Sequence, residues 1–210
     1  MSLPAPWLNA VLLAPALAVA LALRPWRAVG ADGPPWPWLA WWAALPLLWA
    51  ADQVARIPIL QPLSGASLLV LLAGWPLAML ALVPVALVSA VVGGLAPDQA
   101  LHRLVWLGVV PGTLALGLGA ALRRWLPQHL FIYILGRGFF ATWIAAASAG
   151  ALALAVTGAP PGSEPADLLI GRMLAASGEA FLTGMFAAIF VAFRPQWLAT
   201  YSDRLYLPRD

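Results

Sequence analysis

Glu179 is the residue of this sequence best placed to do chemistry, because it is a lone carboxylate inside a long apolar stretch. The stretch covers about residues 168–193, and Glu179 is its only acid after Asp167. An ionisable side chain at membrane depth is costly and is therefore a functional-site candidate by default. We predict that Glu179 binds a substrate, and the alternative is that it anchors the packing of its helix.

Arg137, which lies between Gly136 and Gly138, is the obvious counter-charge for Glu179. Measured from the expected inner ends of their helices, the two residues differ in depth by about 12 Å at the α-helical rise per residue. Side chains also lean toward the N-terminus of their own helix, and the two helices run in opposite directions. We therefore predict that Arg137 and Glu179 do not pair, and that Arg137 extends to the inner surface or contacts a partner protein.

A second polar patch precedes a break in another apolar run. Ser64 and Ser67 lie just before Gly74-Trp75-Pro76, and short interrupted helices of this kind line polar sites in transporters. We predict that Ser64 and Ser67 bind substrate together with Glu179, although a hairpin kinked by proline fits the same pattern. A stripe of small residues on the first segment is predicted to contact a partner helix: Ala14, Ala18 and Ala22.

Several kinds of site are excluded by composition. The absence of cysteine excludes thiolate metal sites and cysteine nucleophiles, and His102 and His129 alone cannot build a multi-histidine metal site. No glycine-rich phosphate loop and no Ser/His/Asp set is present, so we expect neither an enzyme nor a resident cofactor. The 11 basic residues are spread along the chain, whereas nucleic-acid binding needs a basic patch.

The elements that must position these residues are membrane helices. The chain is 63% hydrophobic and 9% charged, against roughly 25% charged residues in soluble domains. We predict an all-α, polytopic membrane bundle in one domain, 1–210, which ends in a polar cytoplasmic tail, 195–210. The run 60–94 exceeds the roughly 20 residues of one span and must be broken near Gly74–Pro76. The predicted segments are 7–23, 38–51, 63–73, 76–92, 101–122, 130–156 and 168–193.

The arginines predict the orientation of the bundle. With a cytoplasmic C-terminus, the inner loops hold more arginines than the outer loops, as the positive-inside rule requires. If one short segment does not cross, the number of crossings falls from seven to six. The inner set is Arg24, Arg27, Arg123, Arg124, Arg194, Arg204 and Arg209, and the outer set is Arg56, Arg103 and Arg172.

Four stretches together resemble one family of membrane proteins. They are 63–69 with 74–78, then 127–140, then 178–184 around Glu179, and finally 194–204. In combination they are similar to the CbiM family, the membrane components of energy-coupling-factor-type cobalt and nickel importers. The resemblance covers most of residues 60–206.

This resemblance implies a substrate-binding permease subunit in a bacterial inner membrane. Such a subunit works with a second membrane coupling subunit and cytoplasmic ATPases, and its cargo is a divalent transition metal. In the family the metal is held by the N-terminal amine and two histidines, and this chain has Ser2 at the first histidine position and Pro62 or a near neighbour at the second. We therefore assign no metal ligand, leave the substrate open, and keep a non-transporting assembly subunit as the alternative function.

Overall fold

A computed structural model describes residues 6–29, 33–56, 61–159 and 162–206 of the chain, and in this part all regular secondary structure is helical, without strands. Ten α-helices are interrupted or joined by short 3-10 and π segments. The α-helices are α1 Pro6–Ala22, α2 Trp36–Trp49, α3 Ala51–Ala55, α4 Ala66–Ala73, α5 Trp75–Gly93, α6 Pro97–Arg103, α7 Val110–Trp125, α8 Ala141–Thr157, α9 Pro165–Phe193 and α10 Asp203–Tyr206.

In the described part of the chain, four helices are long and apolar enough to cross a membrane. They are α5, the continuous helix Pro97–Trp125, the helix Ile132–Thr157, and α9. The second contains a π segment, Leu104–Val109, between α6 and α7, and the third begins with a π segment, Ile132–Phe140, before α8. These four helices correspond to the last four predicted segments, so an all-helical protein of membrane-spanning type is confirmed.

The predicted break near Gly74–Pro76 is confirmed, and two glycines define the short helix before it. Gly65 has a φ of +63° and immediately precedes α4, while Gly74 has a φ of +79° and separates α4 from α5. Both angles lie in the left-handed region that glycine adopts without strain. Pro76 then occupies the first turn of α5, where its missing N–H costs nothing. The short helix therefore starts at Ala66, three residues later than predicted.

The helix α4 lies at the centre of the bundle. Its first seven residues, 66–72, are all buried. It packs against α2, α5, α7 and α9, and two core clusters meet on its opposite faces. One cluster includes Leu69 and Val70 with residues of α2 and α5, and the other includes Leu68 and Leu72 with residues that follow α9. An eight-residue helix is about 12 Å long, so α4 is a buried half-helix.

The segment after α9 is folded onto the end of α4. Leu198 and Tyr206 are buried, and the backbone N–H groups of Ala199 and Thr200 donate to the carbonyls of Leu72 and Leu71 at 2.9 and 3.4 Å. Its polar composition predicts a tail beyond the bundle, but its apolar residues pack into the core as far as Tyr206. Residues 207–210 of the predicted tail lie outside the described residues.

Candidate functional site

The Glu179 carboxylate holds the start of the buried half-helix. Glu179 is 2% exposed, and its Oε1 accepts a hydrogen bond from the backbone N–H of Gly65 at 3.1 Å, while its Oε2 accepts one from Ser64 at 3.2 Å. The first N–H groups of a helix lack partners within the helix and carry its positive dipole end. A carboxylate, which only accepts hydrogen bonds, satisfies both demands. The structure thus brings Glu179 to the predicted Ser64 region.

Other side chains hold the same turn in place. The Ser64 hydroxyl accepts a hydrogen bond from the Ala66 N–H at 3.1 Å. The indole N–H groups of Trp49 and Trp41, both on α2, donate to the carbonyls of Ser64 and Gly65 at 2.8 and 2.9 Å. A Cβ on Gly65 would collide with side chains of α2. The turn is therefore specified by backbone groups, tryptophans and one carboxylate.

Ser67 is close to this turn but plays no part in its hydrogen bonds. It is buried, and its hydroxyl finds no hydrogen-bond partner among the described residues. Of the three predicted substrate-binding residues, Glu179 and Ser64 therefore share one cluster, and Ser67 lies on the first turn of α4. Substrate binding by any of them stays a prediction.

Arg137 does not pair with Glu179, as predicted. Its guanidinium lies 5.8 Å from the Tyr133 ring centre and 3.4 Å from the Thr200 carbonyl. The backbone next to Arg137 contacts α9 near Gly184 and Ala187, five to eight residues beyond Glu179, or about 8–12 Å. The predicted difference in depth is therefore present in the fold.

The predicted exit of Arg137 from the bundle is corrected by the structure. The residue is only 9% exposed, because the segment after α9 folds over it and α7 offers a gap at Gly119. A Cβ on Gly119 would lie 2.5 Å from the Arg137 Nε. Arg137 is therefore buried within this chain. Its contact with a partner protein stays a prediction.

The alanine stripe of α1 faces away from the bundle. Ala14, Ala18 and Ala22 are exposed, whereas Ala20 on the same helix is buried. The helix packs on α5 and α6 through its other side. The stripe is thus not used within this chain, and its predicted contact with a partner helix stays a prediction.

A polar cavity of about 210 Å³ lies beside the residues that precede α4. No pattern in the sequence predicted this cavity. Its five polar side chains come from four separate parts of the chain: Asp52, Gln61, His102 with Arg103, and Arg172, and Pro62 lies beside Gln61. Arg103 donates to both carboxylate oxygens of Asp52, at 2.8 and 2.6 Å, and to the carbonyl of Trp49. This is the one salt bridge among the described residues.

Arg172 occupies the other wall of the cavity. One of its terminal nitrogens donates to the Gly150 carbonyl on α8, and its Nε is buried without a partner among the described residues. The sequence offered one signal for this residue, since Arg172 lies seven residues inside the 29-residue helix α9. An arginine so placed within an apolar helix is a functional candidate by the same rule as Glu179.

Metal ligation finds no support in the described part of the chain. No group of three or more His, Cys, Asp or Glu side chains there could hold a metal ion. Comparisons with protein-family models, with curated proteins and with solved structures find no match to this chain. The site must therefore be interpreted from its own geometry.

Proposed function

We propose that this chain is the membrane-embedded permease subunit of an energy-coupling-factor-type importer, with a substrate still to be identified. The observation that carries the proposal is the buried half-helix α4, which follows a turn whose Ser64 and Gly65 N–H groups donate to the buried carboxylate of Glu179. Transporters use discontinuous helices of this kind to form binding sites within the membrane. The resemblance of residues 60–206 to the CbiM family supports the same assignment.

The order of the helices supports seven crossings. The N-terminus of α4 is bonded to Glu179, and its C-terminus is bonded to residues that follow the end of α9. The half-helix therefore runs parallel to the second half of α9, and the stretch 61–65 with α4 would complete one crossing. The other six would be α1, α2 and the four long helices.

We further propose that the C-terminus is cytoplasmic and that the membrane is the bacterial inner membrane, as the arginine distribution favours. The coupling subunit and the ATPases would then dock at the end that carries the segment after α9. The cavity with Arg103 and Arg172 would open toward the opposite, outer end. An importer needs its substrate site accessible from that side.

The side chains of the chain argue against cobalt or nickel as the transported ion. These metals favour imidazole and thiolate ligands, and Pro62 stands where the family resemblance places a histidine. The cavity beside Pro62 has two arginines against one carboxylate, and this charge balance opposes a divalent cation. We therefore propose a transport function without a metal as the substrate.

The alternative, a non-transporting assembly subunit, is favoured by one observation. Both oxygens of Glu179 accept hydrogen bonds from backbone N–H groups. The carboxylate therefore stabilises the fold with the same acceptor atoms that would bind a ligand. A subunit that kept this scaffold for assembly alone would still need Glu179.

Affinity purification of the full chain in mild detergent separates the two functions. Co-purification of a second membrane protein and an ATPase pair, with ATP-dependent uptake after reconstitution, supports transport. A stable complex without ATPases supports the assembly role. Elemental analysis of the same sample tests the metal, since stoichiometric cobalt or nickel would contradict our exclusion of it.

A further inference from the structure

We propose that the cavity between Arg103 and Arg172 binds a small oxyanion, that is, a carboxylate or phosphate group. The proposal goes beyond the transport function above, because it assigns a ligand class to a site that the sequence patterns did not reveal. Binding to the purified chain does not depend on partner subunits or on uptake. The two proposals can therefore fail separately.

The charge balance of the cavity favours an anion. Arg103 is neutralised by Asp52, to which it donates two hydrogen bonds. Arg172 has only the carbonyl of Gly150, and no carboxylate of the described residues lies within salt-bridge distance of it. A partly buried charge without a counter-charge is costly. An anion in the cavity would supply the missing counter-charge.

The cavity also offers hydrogen-bond donors for an anion. The buried Nε of Arg172 has no partner in the described chain, and a guanidinium presents five N–H donors in a planar fork suited to oxyanions. The Gln61 amide and the His102 ring also line the cavity and can donate to the same ligand. Asp52 contributes the one negative charge, and its two oxygens are already occupied by Arg103.

Gly150 on α8 leaves space for Arg172 at the cavity wall. A Cβ on Gly150 would lie 3.3 Å from the Arg172 Cβ and 3.0 Å from the Gln61 Oε1. The glycine therefore lets both side chains lie directly on α8. A volume of about 210 Å³ is well above the roughly 30 Å³ that one water takes up in the liquid, so the cavity has room for an anion of a few heavy atoms.

Calorimetric titration of the full chain in phosphatidylcholine nanodiscs tests the proposal, with inorganic phosphate and malonate as probes. We expect saturable binding of at least one of the two. In Arg172→Gln the affinity should fall at least about tenfold, because a charged hydrogen-bond donor pair is lost. Arg172→Lys keeps the charge without the planar fork and should lose less.

Arg56→Gln is the matched control, since it removes one positive charge from an exposed residue. Arg56 lies at the C-terminal end of α3, the helix that carries Asp52. Its affinity should stay within about twofold, because exposed charges are screened by salt. Titration after adding phosphatidylglycerol to the nanodiscs identifies the source of the anion. Loss of free-anion binding there assigns the site to a lipid headgroup, and unchanged binding assigns it to a soluble anion.

Two results would overturn the proposal. One is the absence of saturable binding of either probe to the wild-type chain in phosphatidylcholine, a result that does not depend on any variant folding. The other is an equal loss of affinity in Arg56→Gln and Arg172→Gln, which would show general attraction to a basic surface in place of a built cavity.

Discussion

Replacing Glu179 with glutamine should destabilise the protein by about 2–4 kcal/mol, because the Glu179 carboxylate accepts hydrogen bonds from two backbone N–H groups. The glutamine amide has one acceptor oxygen, so one of the N–H groups of Ser64 and Gly65 would face an NH₂ group. Hydrogen bonds to charged groups contribute about 1.5–3 kcal/mol, and a buried donor left unpaired costs about 1–3 kcal/mol. The observed distances of 3.1 and 3.2 Å are at the long end of the N–H···O range, which favours the lower values.

The matched control is Glu164→Gln. It makes the same chemical change at an exposed residue just before α9, and surface substitutions of this kind stay within about 0.5 kcal/mol. The free energy of unfolding would be measured by denaturant titration in the same detergent, followed by tryptophan fluorescence. Equal stability of the two variants would refute the conclusion that Glu179 holds the start of α4.

Two further perturbations test other parts of the bundle. Gly119→Ala places a methyl group 2.5 Å from the Arg137 Nε and should cost about 1–3 kcal/mol, whereas Gly117→Ala meets no atom within 4 Å and should be neutral or stabilising. Thermal unfolding of both variants measures the difference, and equal melting temperatures would contradict it. Asp52→Asn weakens the pair with Arg103 and should cost about 1–3 kcal/mol at neutral pH. Burial acts to raise the pKa of Asp52, but hydrogen bonds and the charge of Arg103 lower it below its ordinary value. The stabilisation is thus present above the unfolded pKa of about 3.9 and is lost as the pH falls through the lower folded pKa. The gap between wild type and variant, followed by thermal unfolding against pH, should close only in acid, and a gap independent of pH would contradict the pairing.

Features that depend on local chemistry were predictable from the sequence. Glu179 stands out because a carboxylate is rare and costly in an apolar run. The break before α5 follows from the conformational freedom of Gly74 and the missing N–H of Pro76. The four long helices follow from the lengths of their apolar runs.

Features that depend on tertiary contacts were not predictable in the same way. The partner of Glu179 is a pair of backbone N–H groups 114 and 115 residues away, and backbone donors leave no trace in composition. The segment after α9 is polar in composition. Its residues Leu198 and Tyr206 are nevertheless buried in the core cluster that includes α4. The cavity around Arg172 needs polar side chains from four separate parts of the chain, so no spacing in the sequence could indicate it.

These contacts assign different roles to the two costly residues of α9. The helix and the segment after it hold α4 at both ends, through Glu179 at its start and through Ala199 and Thr200 at its end. Both oxygens of Glu179 accept a backbone hydrogen bond there and the residue is only 2% exposed, so a ligand has little access to the carboxylate. Arg172, about two turns earlier on α9, has a buried donor without a partner among the described residues and borders a cavity. The proposed anion site therefore involves Arg172 and not Glu179.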